Sequence, residues 1–379
     1  MRNLSKQKST RFIFATVVAM ILVAITFFAL PGYNFANTEA ISGSYETFRD
    51  SLIAMTQEYD GVDYVVGEDG QTEEKYNRLI VESEYNIDDF DAVASARYNT
   101  CHIFQYENSE DAEEALQYYQ SQREVDNVYY DAKISAQNVE VESNATDYKS
   151  WGWQASTDYM GINTYKNTLL TNRTVASLPK VVVAVLDSGI RTTHQMFAGR
   201  LLLDYAYNFV SNTTNITDDN GHGTHVSGTI AEATPSNVYI LPLKVLDSAG
   251  LGWTSYIWNA INHLLNNKET IEALGYNVRV MNMSIGVDMK QGVTEGEEQI
   301  SANSYAYKSL SSAINGAYAL NIVSVVSAGN DSVNTANIQP ANVANAITVS
   351  ALKKQLGNLY FDSSYSNYGK EVDFCAPGS

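Results

Sequence analysis

Residues 181–189 read Val-Val-Val-Ala-Val-Leu-Asp187-Ser188-Gly189, and residues 218–231 read Asp-Asp-Asn-Gly-His222-Gly-Thr-His225-Val-Ser-Gly-Thr-Ile-Ala. Six uninterrupted apolar residues, rich in valine, predict a strand buried on both faces rather than one with a solvated side. Asp187 stands where that strand leaves the sheet. In the second stretch the glycines permit a tight turn, and the small residues after them open a helix that delivers an imidazole. An Asp and a His presented in this way are two parts of a three-part arrangement that activates a hydroxyl nucleophile.

The residues that follow repeat the same alternation. Apolar runs at Val181–Leu186, Val238–Val245, Val278–Met283, Ile322–Ser327 and Ala346–Ala351 are separated by helical segments from His222, around Tyr256–Asn266 and around Ser304–Leu320. Continuous apolar strands with helices between them predict an α/β domain, a doubly wound and mostly parallel sheet. Such sheets place their sites at the carboxyl ends of the strands.

Ahead of this region the chain changes character. Arg2, Lys6, Lys8 and Arg11 flank Phe12–Leu30, a run without a charged residue. A basic flank before an apolar segment is the pattern of export, so residues 1–40 are expected to be a signal peptide or an N-terminal membrane anchor. Residues 41–75 read as a linker. Residues 76–141 read as a small α+β domain of order β-α-β-α-β, with a helix over Asp88–Ala96 and a closing strand over Asp126–Ile134. The polar stretch 142–150 is the expected junction, and the sheet domain fills 151–379.

The 379 residues carry a formal charge of −19, which argues against nucleic acid as a partner, because phosphate neutralisation needs clustered Lys and Arg. Cys101 and Cys375 lie far apart and read as two unpaired buried thiols, with no Cys/His metal spacing. A metal on His222 and His225 lacks a third ligand nearby.

Four blocks, Leu186-Asp-Ser-Gly, Asn220-Gly-His-Gly-Thr-His-Val-Ser-Gly-Thr, Met281-Asn-Met-Ser-Ile-Gly and Val326-Ser-Ala-Gly-Asn, resemble in order and spacing the signature of the subtilisin-like serine peptidases. The resemblance covers about residues 150–379. It implies that Asp187 orients and charges the base, that His222 is the general base, and that His225 is a structural neighbour. By the same resemblance Ser188 is a partner of Asp187, and Asn330 donates its side-chain amide to the developing oxyanion. Ser284 and Gly286 resemble one wall of the pocket for the residue before the scissile bond. Gly250 and Gly252 resemble the edge segment that pairs with an extended substrate. The implied partner is a polypeptide substrate, with no cofactor. The 76–141 domain resembles the inhibitory propeptide of such enzymes, which implies an intramolecular inhibitor.

Three departures qualify the match. The family carries its nucleophile in Gly-Thr-Ser-x-Ala after an Ala-Pro-Gly segment; here Cys375-Ala-Pro-Gly-Ser379 occurs without that block. The longer loop that binds structural calcium in many relatives is absent between Glu232 and Val238, so no metal is carried over there. A charged insertion occupies about Val287–Ala302. The expected function is an exported serine endopeptidase whose serine is not in these residues, so that the 379 residues alone are inactive. The alternative is a non-catalytic, subtilase-like peptide-binding or inhibitory protein.

Overall fold

The computed structural model describes residues 45–66, 72–137, 159–171, 173–288, 310–356 and 358–378. The first element is helix α1 (Tyr45–Glu58), followed by a hairpin of β1 (Val62–Val66) and β2 (Thr72–Tyr76). This corrects the linker expected over 41–75. Between its charged residues, Tyr45, Phe48, Leu52 and Met55 recur every three or four positions, and all four are buried. That spacing makes one apolar helix face despite a polar overall composition.

A four-stranded antiparallel sheet of order β4-β5-β3-β6 comes next, built from β3 (Arg78–Glu82), β4 (Ala94–Tyr98), β5 (Cys101–Gln105) and β6 (Asn127–Tyr130). Helix α2 (Ser109–Ser121) connects β5 to β6 and is capped by Asn108, whose side chain accepts from the Asp111 amide. The helix expected over Asp88–Ala96 does not form. Phe90 and Asp91 take left-handed φ values of 51° and 61°, the Asp88 carboxylate bonds the Phe90 amide in a local turn, and the chain then enters β4. The closing strand over Asp126–Ile134 is also broken in two. Asp131 and Ala132 interrupt it, and β7 (Lys133–Ala136) leaves the small sheet altogether.

After helix α3 (Ile162–Leu170) the main sheet begins with β8 (Lys180–Asp187). The remaining elements are β9 (Tyr207–Asn208), α4 (His222–Ala233), β10 (Val238–Lys244), β11 (Leu251–Trp253), α5 (Thr254–Ala273), β12 (Tyr276–Met283) and β13 (Ile285–Asp288). Then follow α6 (Ser311–Ala319), β14 (Val323–Ser327), β15 (Ile338–Gln339), β16 (Ala346–Gln355), β17 (Asn358–Phe361) and β18 (Phe374–Pro377). The order across the sheet is β17-β16-β14-β12-β8-β10-β9, with β18 also paired to β16. Every pairing in it is parallel except β16 with β17. The fold is the expected doubly wound α/β sheet. The valine-rich β8 is central, paired on both sides and buried along Val181–Leu186. Each such side chain contributes roughly 1.5–3 kcal/mol by leaving water.

The small sheet is joined to the main one by a polar seam. Helix α5 has no capping side chain of its own; Asp131 supplies one, accepting from the Ser255 amide at 2.8 Å, from Thr254 Oγ1 at 2.8 Å and from Ser255 Oγ at 2.6 Å. Arg78 donates to the same carboxylate at 3.3 Å, with both side chains fully buried. Glu82 reaches the first turn of α6 through a side chain, accepting from Ser312 Oγ. Carboxylates at helix N-termini satisfy amides that have no partner within the helix. Helix α1 closes the seam. Tyr45 donates to Asn259 on α5, its ring meets Tyr98 of β4 edge-on at 5.3 Å, and Phe48 meets Trp258 of α5 at 5.9 Å. No helix among the described residues is long and apolar enough to cross a membrane. Phe12–Leu30 and the junction expected at 142–150 lie outside the described residues. Cys101 is buried and Cys375 is exposed rather than buried; neither forms a disulfide.

Candidate active site

Asp187 ends the central strand, and His222 opens α4 beside it. The imidazole Nδ1 lies 2.7 Å from Asp187 Oδ1, with the carboxylate 1% and the ring 12% exposed. Close approach of helix to strand depends on glycine. A Cβ on Gly223 would collide with the Gly189 carbonyl oxygen and lie 3.2 Å from the Asp187 Cβ. Burial alone would lower the His222 pKa. The neighbouring Asp187 charge and hydrogen bond, aided by Asp218 and by the Gln137 backbone, outweigh it and raise the pKa above the ordinary 6.5. His225 behaves oppositely: burial, with repulsion from His222, pulls it down to about 4, so it stays neutral.

Behind this pair stands a carboxylate for which the sequence reading named no role. Asp218 accepts from Ser188 Oγ at 2.8 Å, from the Gly221 amide at 2.8 Å and from the Thr224 amide at 2.8 Å, and also from Thr224 Oγ1. Burial works to raise its pKa, yet these bonds hold it below the usual carboxylate value. Ser188 reaches Asp187 through its backbone amide, at 2.7 Å; its hydroxyl serves Asp218 and the Gly223 amide instead. Lys244, next to Asp187 across the β8–β10 pairing, buries its ammonium on the Ser188 carbonyl at 2.5 Å and on Asp219 at 2.7 Å. The signal for Asp218 was its place in the Asp-Asp-Asn-Gly-His run. Lys244 offered a different one, as a charge ending the apolar run Val238–Leu243.

Asn330 follows β14 at the turn Ala328-Gly329-Asn330, where Gly329 takes φ of +103°. Both polar atoms of its side chain are hidden from solvent and have no partner among the described residues, as does Asp187 Oδ2. A buried amide left unmatched in this way is unusual, because such groups are nearly always hydrogen-bonded.

The cleft beside these residues is filled by β7. It runs antiparallel between β11 and β13, in a four-stranded order β11-β7-β13-β15. All four residues expected to flank a substrate lie along it. The Ala136 amide donates to the Gly250 carbonyl at 2.7 Å, and Gly252 sits opposite Ile134. Gly286 sits opposite Ser135, and the Gln137 amide donates to the Ser284 carbonyl at 3.1 Å. The Gln137 backbone then comes near enough to His222 to help raise its pKa. Sequence reasoning drew the small domain to residue 141, so it did not single out Gln137. Among the described residues no three His, Cys, Asp or Glu side chains gather to hold a metal ion. Ser379 and most of the insertion at 287–302 lie outside the described residues.

The chain is similar to known proteins. The Subtilase family model Peptidase_S8 matches residues 179–379. An alkaline proteinase of Hapsidospora chrysogena is 35% identical over 198 residues, covering 52% of this chain and 42% of that protein. Alkaline protease 1 of Aspergillus clavatus is 31% identical over 307 residues, covering 79% of this chain and 62% of the relative. The chain spans about half the length of the curated relatives it matches. Among solved structures, fervidolysin from Fervidobacterium pennivorans, a keratinolytic enzyme related to subtilisin, aligns with a TM-score of 0.51 at 18% identity, over 84% of this chain and 48% of that one.

Proposed function

Because the chain belongs to the subtilase family, we propose that it acts as an exported serine endopeptidase held in check by its own N-terminal unit. One observation carries the reading: the His222 ring is bonded to Asp187, and the strand that ends at Gln137 lies between two cleft edges with its backbone close enough to raise the His222 pKa. Asp187 fixes the imidazole with Nδ1 as donor, leaving the other nitrogen to take a proton from a serine hydroxyl and return it to the departing amine. Asn330 donates to the oxyanion that forms on the carbonyl, a contact worth roughly 3–4 kcal/mol of barrier in such sites. The substrate is an extended polypeptide, added as a strand between β11 and β13. The N-terminal unit occupies that place first and so inhibits.

In this reading the nucleophilic serine is not among the 379 residues, which alone do not complete acyl transfer. The apolar segment Phe12–Leu30 directs export. A non-catalytic binding module is the weaker alternative, because it has no use for an oriented base beside an unmatched buried amide.

The test compares the 379-residue chain with the protein encoded by the whole gene. The whole-gene product is expected to hydrolyse casein and to be labelled covalently by a fluorophosphonate. His222→Ala should lower its kcat/KM on the order of a million-fold. Casein hydrolysis by His222→Ala at the unaltered rate sinks the proposal.

A further inference from the structure

We infer that Lys244 is a positioning residue for the Asp187–His222 pair: its buried ammonium clasps the end of β8, which carries Asp187, to the loop 218–221 that leads into His222, and so holds the two side chains at bonding distance. The inference rests on the peptidase reading above and adds to it the residue that keeps the base and its carboxylate aligned.

A lysine that ends an apolar strand ordinarily runs its stem along the surface and leaves its ammonium in water. Lys244 does the reverse. Its side chain is 4% exposed, although that of its ion-pair partner Asp219 is 52% exposed. Taking an ammonium out of water is costly, and one half-exposed carboxylate is a weak return for it. What the burial achieves is contact with two separate segments. The ammonium donates to the Ser188 carbonyl at 2.5 Å, just past Asp187, and to Asp219 Oδ1 at 2.7 Å, just ahead of His222. Lys244 is itself paired with Asp187 in the sheet, and the amides of Val245 and Leu246 donate to the Asp187 carbonyl at 2.8 and 3.3 Å. The end of β10 thus grips the Asp187–Ser188 corner with both backbone and side chain.

Ser188 and Asp219 pass that grip to the pair. The Ser188 amide donates to Asp187 Oδ1 at 2.7 Å, the same oxygen that His222 Nδ1 meets at 2.7 Å. Its hydroxyl donates to Asp218 at 2.8 Å and accepts from the Gly223 amide, beside His222, at 2.9 Å. On the loop side Asp219 precedes Asn220, whose side-chain oxygen accepts from the His222 amide at 3.2 Å. A slip of either acceptor of Lys244 therefore moves one member of the pair relative to the other. None of these bonds involves β11 or β13, so alignment of the pair is separable from binding of a peptide.

Three variants of the whole-gene product test this. Lys244→Met should lower kcat on casein-derived peptide anilides by at least about tenfold with KM within about twofold. Because a buried charge is removed, Asp219→Ala serves as the second variant: it alters a half-exposed side chain, frees the loop and should lower kcat in the same way. Asp219→Asn keeps an oxygen for the ammonium and should stay within about threefold of the parent. In acid, the Nδ1 proton shared by His222 and Asp187 should give a far-downfield proton resonance in the parent and in Asp219→Asn, and should broaden or vanish in the other two. Parental kcat in Lys244→Met and Asp219→Ala overturns the inference and leaves the peptidase reading standing, as does a loss confined to KM or a kcat loss with the resonance intact. Absence of both casein hydrolysis and fluorophosphonate labelling in the parent overturns the peptidase reading, and the inference with it.

Discussion

Two sets of buried polar groups stand at the two ends of β7, and they are built on opposite plans. Before the strand, Asp131 accepts four hydrogen bonds, from Thr254, twice from Ser255 and from Arg78, while Arg78 also reaches Gln105 and the Tyr59 carbonyl. After the strand, at Gln137, the neighbouring Asn330 amide and Asp187 Oδ2 have no partner among the described residues. Buried polar atoms are costly unless matched. The seam spends its groups on holding two sheets together. At the cleft they are unmatched, which is what the proposed catalytic role asks of groups that would meet charge only during a reaction. Among the described residues the seam also holds unmatched Asn259 Nδ2 and Trp258 Nε1, so the contrast lies in the carboxylates: both oxygens of Asp131 are bonded, while Asp187 Oδ2 is not.

The largest way to break this comparison is at the joint. Asp131→Ala removes the cap of α5 and leaves the Arg78 guanidinium buried without a counter-charge. Breaking one side of a buried pair costs about 3–5 kcal/mol. The chain should melt several degrees lower, and its N-terminal unit should dissociate from the main sheet far more readily in limited proteolysis. A variant that melts with the parent would show that the seam is not what holds the two sheets.

At the cleft the expectation is reversed. Asn330→Ala should lower kcat of the whole-gene product by about 10²–10³. Its melting temperature should stay within the shift expected of about 0.5 kcal/mol, because the amide makes no hydrogen bond among the described residues that would be lost. Unaltered kcat, or a melting loss like that of Asp131→Ala, would place Asn330 with the structural groups.

This contrast also explains what could be read from the residues alone. The β8 run, the Asn220-Gly-His block and the Ala-Gly-Asn turn are local patterns, and each lies where a local pattern is sufficient: a strand end, a helix start, a tight turn. The main sheet was legible for the same reason, since continuous valine-rich runs have few alternatives. The small domain was less so. Asp88–Ala96 has helical spacing, but two left-handed residues and an Asp88 turn override it. The helix at Tyr45–Glu58 was hidden by its charged face, and the apolar face is stabilised by residues more than two hundred positions away, such as Asn259 and Trp258. Asp131 as a cap and Gln137 as the residue at His222 are tertiary facts. Nothing in their neighbours announces them.

The smallest effect expected is on pH dependence, and it sharpens the comparison through four histidines. Burial, with repulsion from Arg97, pulls His102 of the small sheet to about 4, and burial with repulsion from His222 does the same to His225 of the main sheet. Unfolded, each ring takes up a proton near 6.5. Between about 6.5 and 4 the unfolded chain therefore binds protons that the folded chain does not, and stability falls as the pH falls through that window. His222 has the opposite sign. Its pKa is raised in the fold, so its contribution is complete below about 6.5 and is lost as the pH rises through the folded value. Within that window the His222 term is already complete and does not change, and burial also lowers the pKa of His263 on α5, so the main sheet loses stability through His225 and His263 as the small sheet does through His102. Acidification should accordingly weaken both units, and His102→Gln should reduce the loss in the N-terminal unit alone. Melting curves between pH 7 and 4.5, read by cleavage within residues 76–137 and separately by the main-sheet transition, check this. An N-terminal transition with the same acid dependence in parent and variant would contradict it.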